Sequence, residues 1–344
     1  MGSATRTTAA GIAVAGAVGL GLLAVPAGAG AAPVLPSVTP EELVASVLEA
    51  DPDAFSGRVE LDNALGLPAV EGVPAGTSEV RIWSDGDDGG RVQVPSDSGE
   101  RTLVTDGTTF WAWDSAERTV VTGEKGERPA EAAPSDVAAD PAAAATEAIR
   151  VLQTSSDVAV DGTSEVAGRP AYELVLTPDP TERTLLREVR VAVDAEQRIP
   201  LRLTVLAQGS TDPVFQVGFT ELEFAAQDAE LFTFTPPPGA TVEQAERPEG
   251  VERERPEFEG AAPQVVGDGW DTVVVATAPA GEAPQGAEGE DALGQVAALG
   301  TPVSGPWGSG TLITTAVGSA IITDDGRVAA GAVPEQVLTE ALSR

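Results

Sequence analysis

Four successive stretches carry apolar side chains at every second position: Tyr172, Leu174 and Leu176; Val189, Val191 and Val193; Leu201, Leu203 and Val205; Phe215, Val217 and Phe219. Two is the period of a β-strand, whose successive side chains point to opposite faces. Between them stand Glu173, Arg190, Arg202 and Gln216, so each strand is expected to be wet on one side and buried on the other. A run of such strands makes an antiparallel sheet with one apolar face, and that face must find a cover.

Shorter strand-like segments precede this run, at Gly57–Leu61, Glu79–Trp83, Arg91–Val94, Arg101–Val104, Thr109–Asp114 and Thr119–Thr122, with turns at DGDDGG, SDSG and TDGT. Their close spacing predicts neighbouring antiparallel strands without crossover helices. Two helices interrupt the pattern. In TPEELVASVLEAD, Thr39 serves as N-cap, Pro40 as first helical residue and Glu42 as the reciprocal partner, with Leu43, Val44, Val47 and Leu48 on one stripe. In DPAAAATEAIRVLQ, Asp140 and Pro141 make the start, and Ala145, Ala148, Ile149 and Leu152 make the stripe. A further strand is expected at Leu231–Thr235, and the following PPPG is expected to end the sheet because proline cannot donate to a ladder.

The fold class is therefore α+β and mainly antiparallel β, a sheet of about ten strands. A twisted sheet of that size curls into a half-barrel. Two amphipathic helices lie over its apolar concave face and leave room for a cavity. Residues 243–263 are charged and Pro-rich, as in a linker, and 264–344 then read as a small C-terminal α+β unit, separate or packed on the first as an extension. That unit has a strand at GWDTVVVATA, strands within TLITTAVGSAIITDDGRVAAGAV, and a helix carrying Val337, Leu338, Ala341 and Leu342 on one side.

At the N-terminus, Arg6 precedes an uncharged apolar run from Ala9 to Val25, and Ala27 and Ala29 form a small-residue cleavage pattern. Residues 1–31 are expected to be either a cleaved export signal or an uncleaved anchor, and both place the remainder outside the cytoplasm. The chain has no Cys and no His. That removes disulfides, thiol acylation, thiol nucleophiles, imidazole bases and His-ligated metal sites. A net charge of −34 opposes contact with nucleic acid. No nucleophile elbow or phosphate loop is present, and no cofactor is called for. Asp85, Asp87 and Asp88 in SDGDDGGR are oxygen-rich, but they lack the later bidentate carboxylate of a calcium loop and read as a turn.

Trp111 and Trp113 in LVTDGTTFWAWD project from one face of their strand, either as core or as cavity wall. Trp83 poses the same choice. Together with Leu174, Val191, Leu203 and Phe219 they form the candidate ligand cavity. Leu65, Leu67, Val70 and Val73, in the Gly- and Pro-rich NALGLPAVEGVPAG, form a candidate lid or entrance, or else a loop folded onto the sheet rim.

The pieces LVTDGTTFWAWDSAERTVV, GRPAYELVLTP, REVRVAVDAEQRIPLRLTV and FQVGFTELEF followed by DAELFTFTPPPGATV, in this order, resemble the superfamily of the lipoprotein carrier LolA and of the N-terminal domain of the sigma-factor regulator RseB (MucB). The resemblance covers roughly residues 37–242. It implies a half-barrel that holds lipid or lipoprotein acyl chains without performing chemistry, in a monomeric extracytoplasmic protein. It leaves open a regulator of different class, contacting a membrane-bound anti-sigma factor or an ABC transporter.

Overall fold

The computed structural model describes residues 32–64, 76–96, 99–124, 141–245, 264–277 and 300–344. Residues 1–31, expected to be a signal or anchor, the loop with Leu65, Leu67, Val70 and Val73, the expected helix cap Asp140 and most of the expected linker lie outside the described residues. Among the described residues, no helix is long and apolar enough to cross a membrane.

The alternating stretches form two antiparallel meanders. The first runs through β1 (Phe55–Asn63), β2 (Gly76–Ser84), β3 (Gly89–Ser96), β4 (Gly99–Asp106), β5 (Thr109–Asp114) and β6 (Thr119–Glu124). The second runs through β7 (Ser156–Val166), β8 (Arg169–Pro178), β9 (Leu186–Asp194), β10 (Pro200–Ala207) and β11 (Pro213–Phe224). Antiparallel pairing of β1 with β11 stitches them together. With β12 (Thr241–Gln244) beside β6, the result is one twelve-stranded sheet in the order β12-β6-β5-β4-β3-β2-β1-β11-β10-β9-β8-β7. The sheet is not closed, but it curls enough to bring β7 into contact with β11 across the concavity.

Local chemistry sets the turns. The Asp106 carboxylate accepts the N–H groups of Thr108 and Thr109 at 2.9 and 2.8 Å, and Gly107 takes φ +91° between β4 and β5. Asp85 accepts the N–H groups of Asp87 and Gly89, both at 2.9 Å, so the acidic SDGDDGGR loop is a self-bonded turn.

The structure corrects the sequence expectations at three points. β7 was not expected; its period is broken where the register with β8 shifts between Val160 and Thr163. Leu231–Thr235 is not a strand, because Asp228 caps a 3-10 turn over Ala229–Phe232 by accepting the Glu230 N–H at 3.0 Å. The sheet also does not stop at the prolines: the chain crosses over and adds β12 parallel to β6. A parallel partner needs no hairpin, so the prolines lie in the connection and outside the ladder.

Helix α1 (Pro40–Leu48) begins with the expected capping box, Thr39 and Glu42 each bonding to the other's backbone N–H. Leu43, Val44 and Val47 are buried, whereas Leu48 stays 41% exposed. Helix α2 (Pro141–Leu152) buries Ala145 and Ile149 completely and packs chiefly on β10.

The C-terminal residues form a second, six-stranded sheet from β13 (Gln264–Val266), β14 (Val273–Thr277), β15 (Thr301–Gly305), β16 (Gly308–Thr314), β17 (Ser319–Thr323) and β18 (Arg327–Gly331), in the order β13-β14-β18-β17-β16-β15. Helix α3 (Glu335–Leu342) covers one face, burying Val337, Leu338, Ala341 and Leu342 against Val273, Ile321 and Ala329.

Candidate functional site

Residues paired across an antiparallel ladder point to the same face, so the registers trace continuous rows. One row runs Val160–Leu174–Val191–Leu203–Val217–Leu61 across β7, β8, β9, β10, β11 and β1. It ends at Ser78 on β2, whose hydroxyl is buried with no hydrogen-bond partner. Beside it run Phe219–Val59–Val80 and, over the first meander, Ile82–Val92–Leu103–Ala112–Val121. No charged side chain interrupts these rows.

Two short helices cover the half of this face built from the second meander. Leu43, Val44 and Val47 of α1, and Ala145 and Ile149 of α2, share one core cluster with the first row. The chain entering α1 is tied to the same edge: Thr163 donates through its hydroxyl to the Pro33 carbonyl at 2.7 Å, and Tyr172 to that of Pro36 at 2.9 Å. Between α1 and the start of β7 lies a hollow of about 490 Å³, lined by Val44, Leu48, Gln153, Asp157 and Val158.

Of the seven candidate cavity residues, the structure brings four together. Leu174, Val191, Leu203 and Phe219 are all buried in the concave cluster. Phe219 lies over Gly57, where a Cβ would come within 2.9 Å of its ring, and packs edge-on against Phe55 with centroids 6.1 Å apart. Trp83, Trp111 and Trp113 are not among them. Trp111 pairs with Val104 and Thr122, Trp113 with Thr102 and Val120, and Trp83 with Arg91, all on the opposite face from Ile82 and Leu103. The set drawn from sequence therefore divides between the two faces of the sheet.

The outer face carrying the indoles has a cover of its own. Val104 and Val120 are fully buried there. The chain after β11 crosses it: the 3-10 turn packs on β3 and β4, Phe232 is buried, and Arg91 donates to the Leu231 carbonyl at 3.3 Å. Farther along, Arg118 donates to the Pro238 carbonyl at 2.8 Å and leads the chain into β12. Trp83 edges a separate outer hollow of about 580 Å³ among Arg58, Arg81, Thr220 and Glu221. Over the second meander the outer face is polar, with ion pairs of Arg202 to Glu173 at 2.8 Å and Arg190 to Glu188 at 2.7 Å.

A buried carboxylate secures the rim between β9 and β10. Burial pushes the Asp194 carboxyl up, but the Arg169 guanidinium and the N–H groups of Gln197 and Glu196 outweigh it, and the net direction is below the ordinary carboxylate range. Arg169 in turn lies over the Phe224 ring at 4.7 Å. Among the described residues, no cluster of carboxylates is arranged to hold a metal ion.

Trp270 belongs to the concave cluster although it lies in the C-terminal unit. The motif GWDTVVVATA carries no signal of this, because membership in a distant core leaves no local period.

No protein-family model and no curated protein sequence matches the chain. Solved structures do. A complex of MucA and MucB from Pseudomonas aeruginosa is similar over 88% of this chain and 96% of that chain, with 20% identity and a TM-score of 0.46. A LolA-superfamily protein from Nitrosomonas europaea is similar over 58% of this chain and 99% of its own, with 12% identity and a TM-score of 0.26. The lipoprotein LppX of Mycobacterium tuberculosis is similar over 54% of this chain and 98% of its own, with 9% identity and a TM-score of 0.29. These are likenesses of fold alone, at TM-scores below 0.5.

Proposed function

We propose that the protein is an exported binding protein that holds an acyl chain, of a lipid or a lipoprotein, against the concave face of the twelve-stranded sheet. The observation that carries this reading is the unbroken apolar row from Val160 to Leu61, six strands wide, roofed among the described residues by two short helices, the segment leading into α1 and the Trp270 side chain. Elongated apolar surface under a thin removable roof suits a long flexible hydrocarbon. Each buried methylene contributes about 0.8 kcal/mol, so a chain of roughly fourteen methylenes offers about 11 kcal/mol before the cost of ordering it. The hollow between α1 and β7 reaches Val158, two residues along β7 from Val160, and is the natural entrance, and the unpartnered Ser78 hydroxyl at the far end could receive a polar atom of the ligand.

Nothing in this role needs a nucleophile, a metal or a proton shuttle. Native mass spectrometry with organic extraction, on protein secreted by its own host, tests it. Near-stoichiometric acylated species support the reading. A ligand-free mass that also refuses added palmitate refutes it and moves the weight to a regulator that contacts a membrane-bound protein.

A further inference from the structure

Trp270 joins two parts of the molecule that have separate cores. It is 2% exposed and packs in the concave cluster of the first sheet, while Val273, three residues later, packs in the core of the second. Its 3-10 turn, Gly269–Asp271, contacts α2 directly. The indole N–H donates to the Ser156 hydroxyl at 2.8 Å, and that hydroxyl donates to the carbonyl of Leu152, the last residue of α2, at 2.6 Å. The Trp270 and Asp271 backbone N–H groups both go to the Glu182 carboxylate, at 2.9 and 3.1 Å. Gly269 approaches so closely that a Cβ there would run into Ser155.

Other ties between the two sheets, among the described residues, are of another kind. Leu185 and Thr184 both donate to the Ala332 carbonyl, at 2.8 and 2.7 Å, and Arg183 pairs with Glu340 in the open. These hold the second sheet to the loop between β8 and β9. Among the described residues, it is the Trp270 turn that holds it to α2.

We infer that Trp270 is a latch that makes the roof helix α2 and the C-terminal sheet one mechanical element. Lifting α2 pulls the Leu152 carbonyl and Ser156 away from the indole and opens the core that Trp270 fills. Freeing the second sheet withdraws the indole from beneath the end of α2. Such a coupling is reciprocal by thermodynamic linkage: whatever displaces α2 loosens the C-terminal sheet by the same factor as the sheet's release loosens α2. If the concavity is a ligand site, and this consequence rests on the reading above, occupancy is reported to the C-terminal sheet through one side chain.

Hydrogen exchange read by mass spectrometry on the full chain tests the latch without any ligand. In Trp270→Ala, exchange across 141–152 should rise at least tenfold, while β8 to β10 stay within twofold of the parent. Unchanged exchange across 141–152 overturns the inference. Ser156→Ala removes the relay and almost no volume, and covers the case in which Trp270→Ala fails to fold. It should raise exchange at both 141–152 and 269–277 about threefold, and no change at either segment overturns the inference. Arg183→Ala, at an exposed pair, should leave 141–152 unchanged; a rise matching that of Trp270→Ala would show general loosening and no latch. Palmitate added to the parent protein separates the two ideas. Palmitate that binds without changing exchange at 269–277 overturns the latch, whereas palmitate that fails to bind overturns only the ligand reading and leaves the Trp270→Ala comparison to decide the latch.

Discussion

Truncating Ile149 to Ala in α2 is the sharpest check on how the concave face is covered. Ile149 is fully buried against the sheet. The change removes three carbons, worth about 2.4 kcal/mol of transfer free energy at roughly 0.8 each. A residual cavity adds about 1 kcal/mol, and the better helix propensity of Ala returns about 0.4. The expected net loss is therefore about 3 kcal/mol, a melting temperature lower by roughly 6–12 °C for a domain of this size. Val151→Ala is the internal control, because Val151 lies on the same helix at 46% exposure and should cost less than about 0.5 kcal/mol. Urea titration followed by far-UV circular dichroism measures both. An Ile149→Ala loss under about 1 kcal/mol, or one equal to that of Val151→Ala, would mean that α2 is not seated on β10 in solution, and the account of the roof would be wrong.

Three further outcomes are expected. Trp113→Ala, on the outer face, should lower stability by about 1–3 kcal/mol yet leave palmitate affinity within twofold by fluorescence competition; a tenfold loss of affinity would contradict the face assignment. Ser78→Ala should be neutral or slightly stabilising in urea, because it removes a buried hydroxyl without a partner, and a loss above about 1 kcal/mol would show that the hydroxyl is satisfied in solution. The folded Asp194 carboxyl titrates below its unfolded value of about 3.9. Its stabilisation is thus present above pH ~4 and lost as pH falls through the folded value. Asp194→Asn should cost about 2–3 kcal/mol at pH 7 and progressively less below pH 4, and a gap in urea midpoints that stays constant from pH 7 to pH 2.5 would refute the assignment.

Much of the second meander was legible because charged side chains, Glu173, Glu188, Arg190 and Arg202, mark its outer face, so period two shows which residues turn inward. The first meander is different. Thr102, Leu103 and Val104 are buried in succession on β4, because the concave side lies below them and the chain carrying Phe232 lies above. Where both faces are covered, alternation cannot say which side is concave, and Trp111 and Trp113 were grouped with the wrong neighbours for that reason. The α1 cap was legible because its donors and acceptors lie within four residues. The strand at Thr241–Gln244 was hidden because its partner is more than a hundred residues away and its approach runs through prolines. Trp270 was hidden more completely, since what it packs against is set by docking and not by its own surroundings in the chain.

The stitch between β1 and β11 has a consequence for a chain delivered from one end. Arg58 and Thr220, bonded across it, are 162 residues apart. Until β11 emerges, the first meander waits with β1 as a bare apolar edge, and the second, once made, waits with β10 as another. Bare edges recruit any strand of matching pattern, including one from a neighbouring copy. A product cut short before residue 213 is therefore not a smaller version of this protein but two open-edged ribbons, each a template for aggregation. The late strand that completes the concave row is also what makes the chain safe to leave unattended.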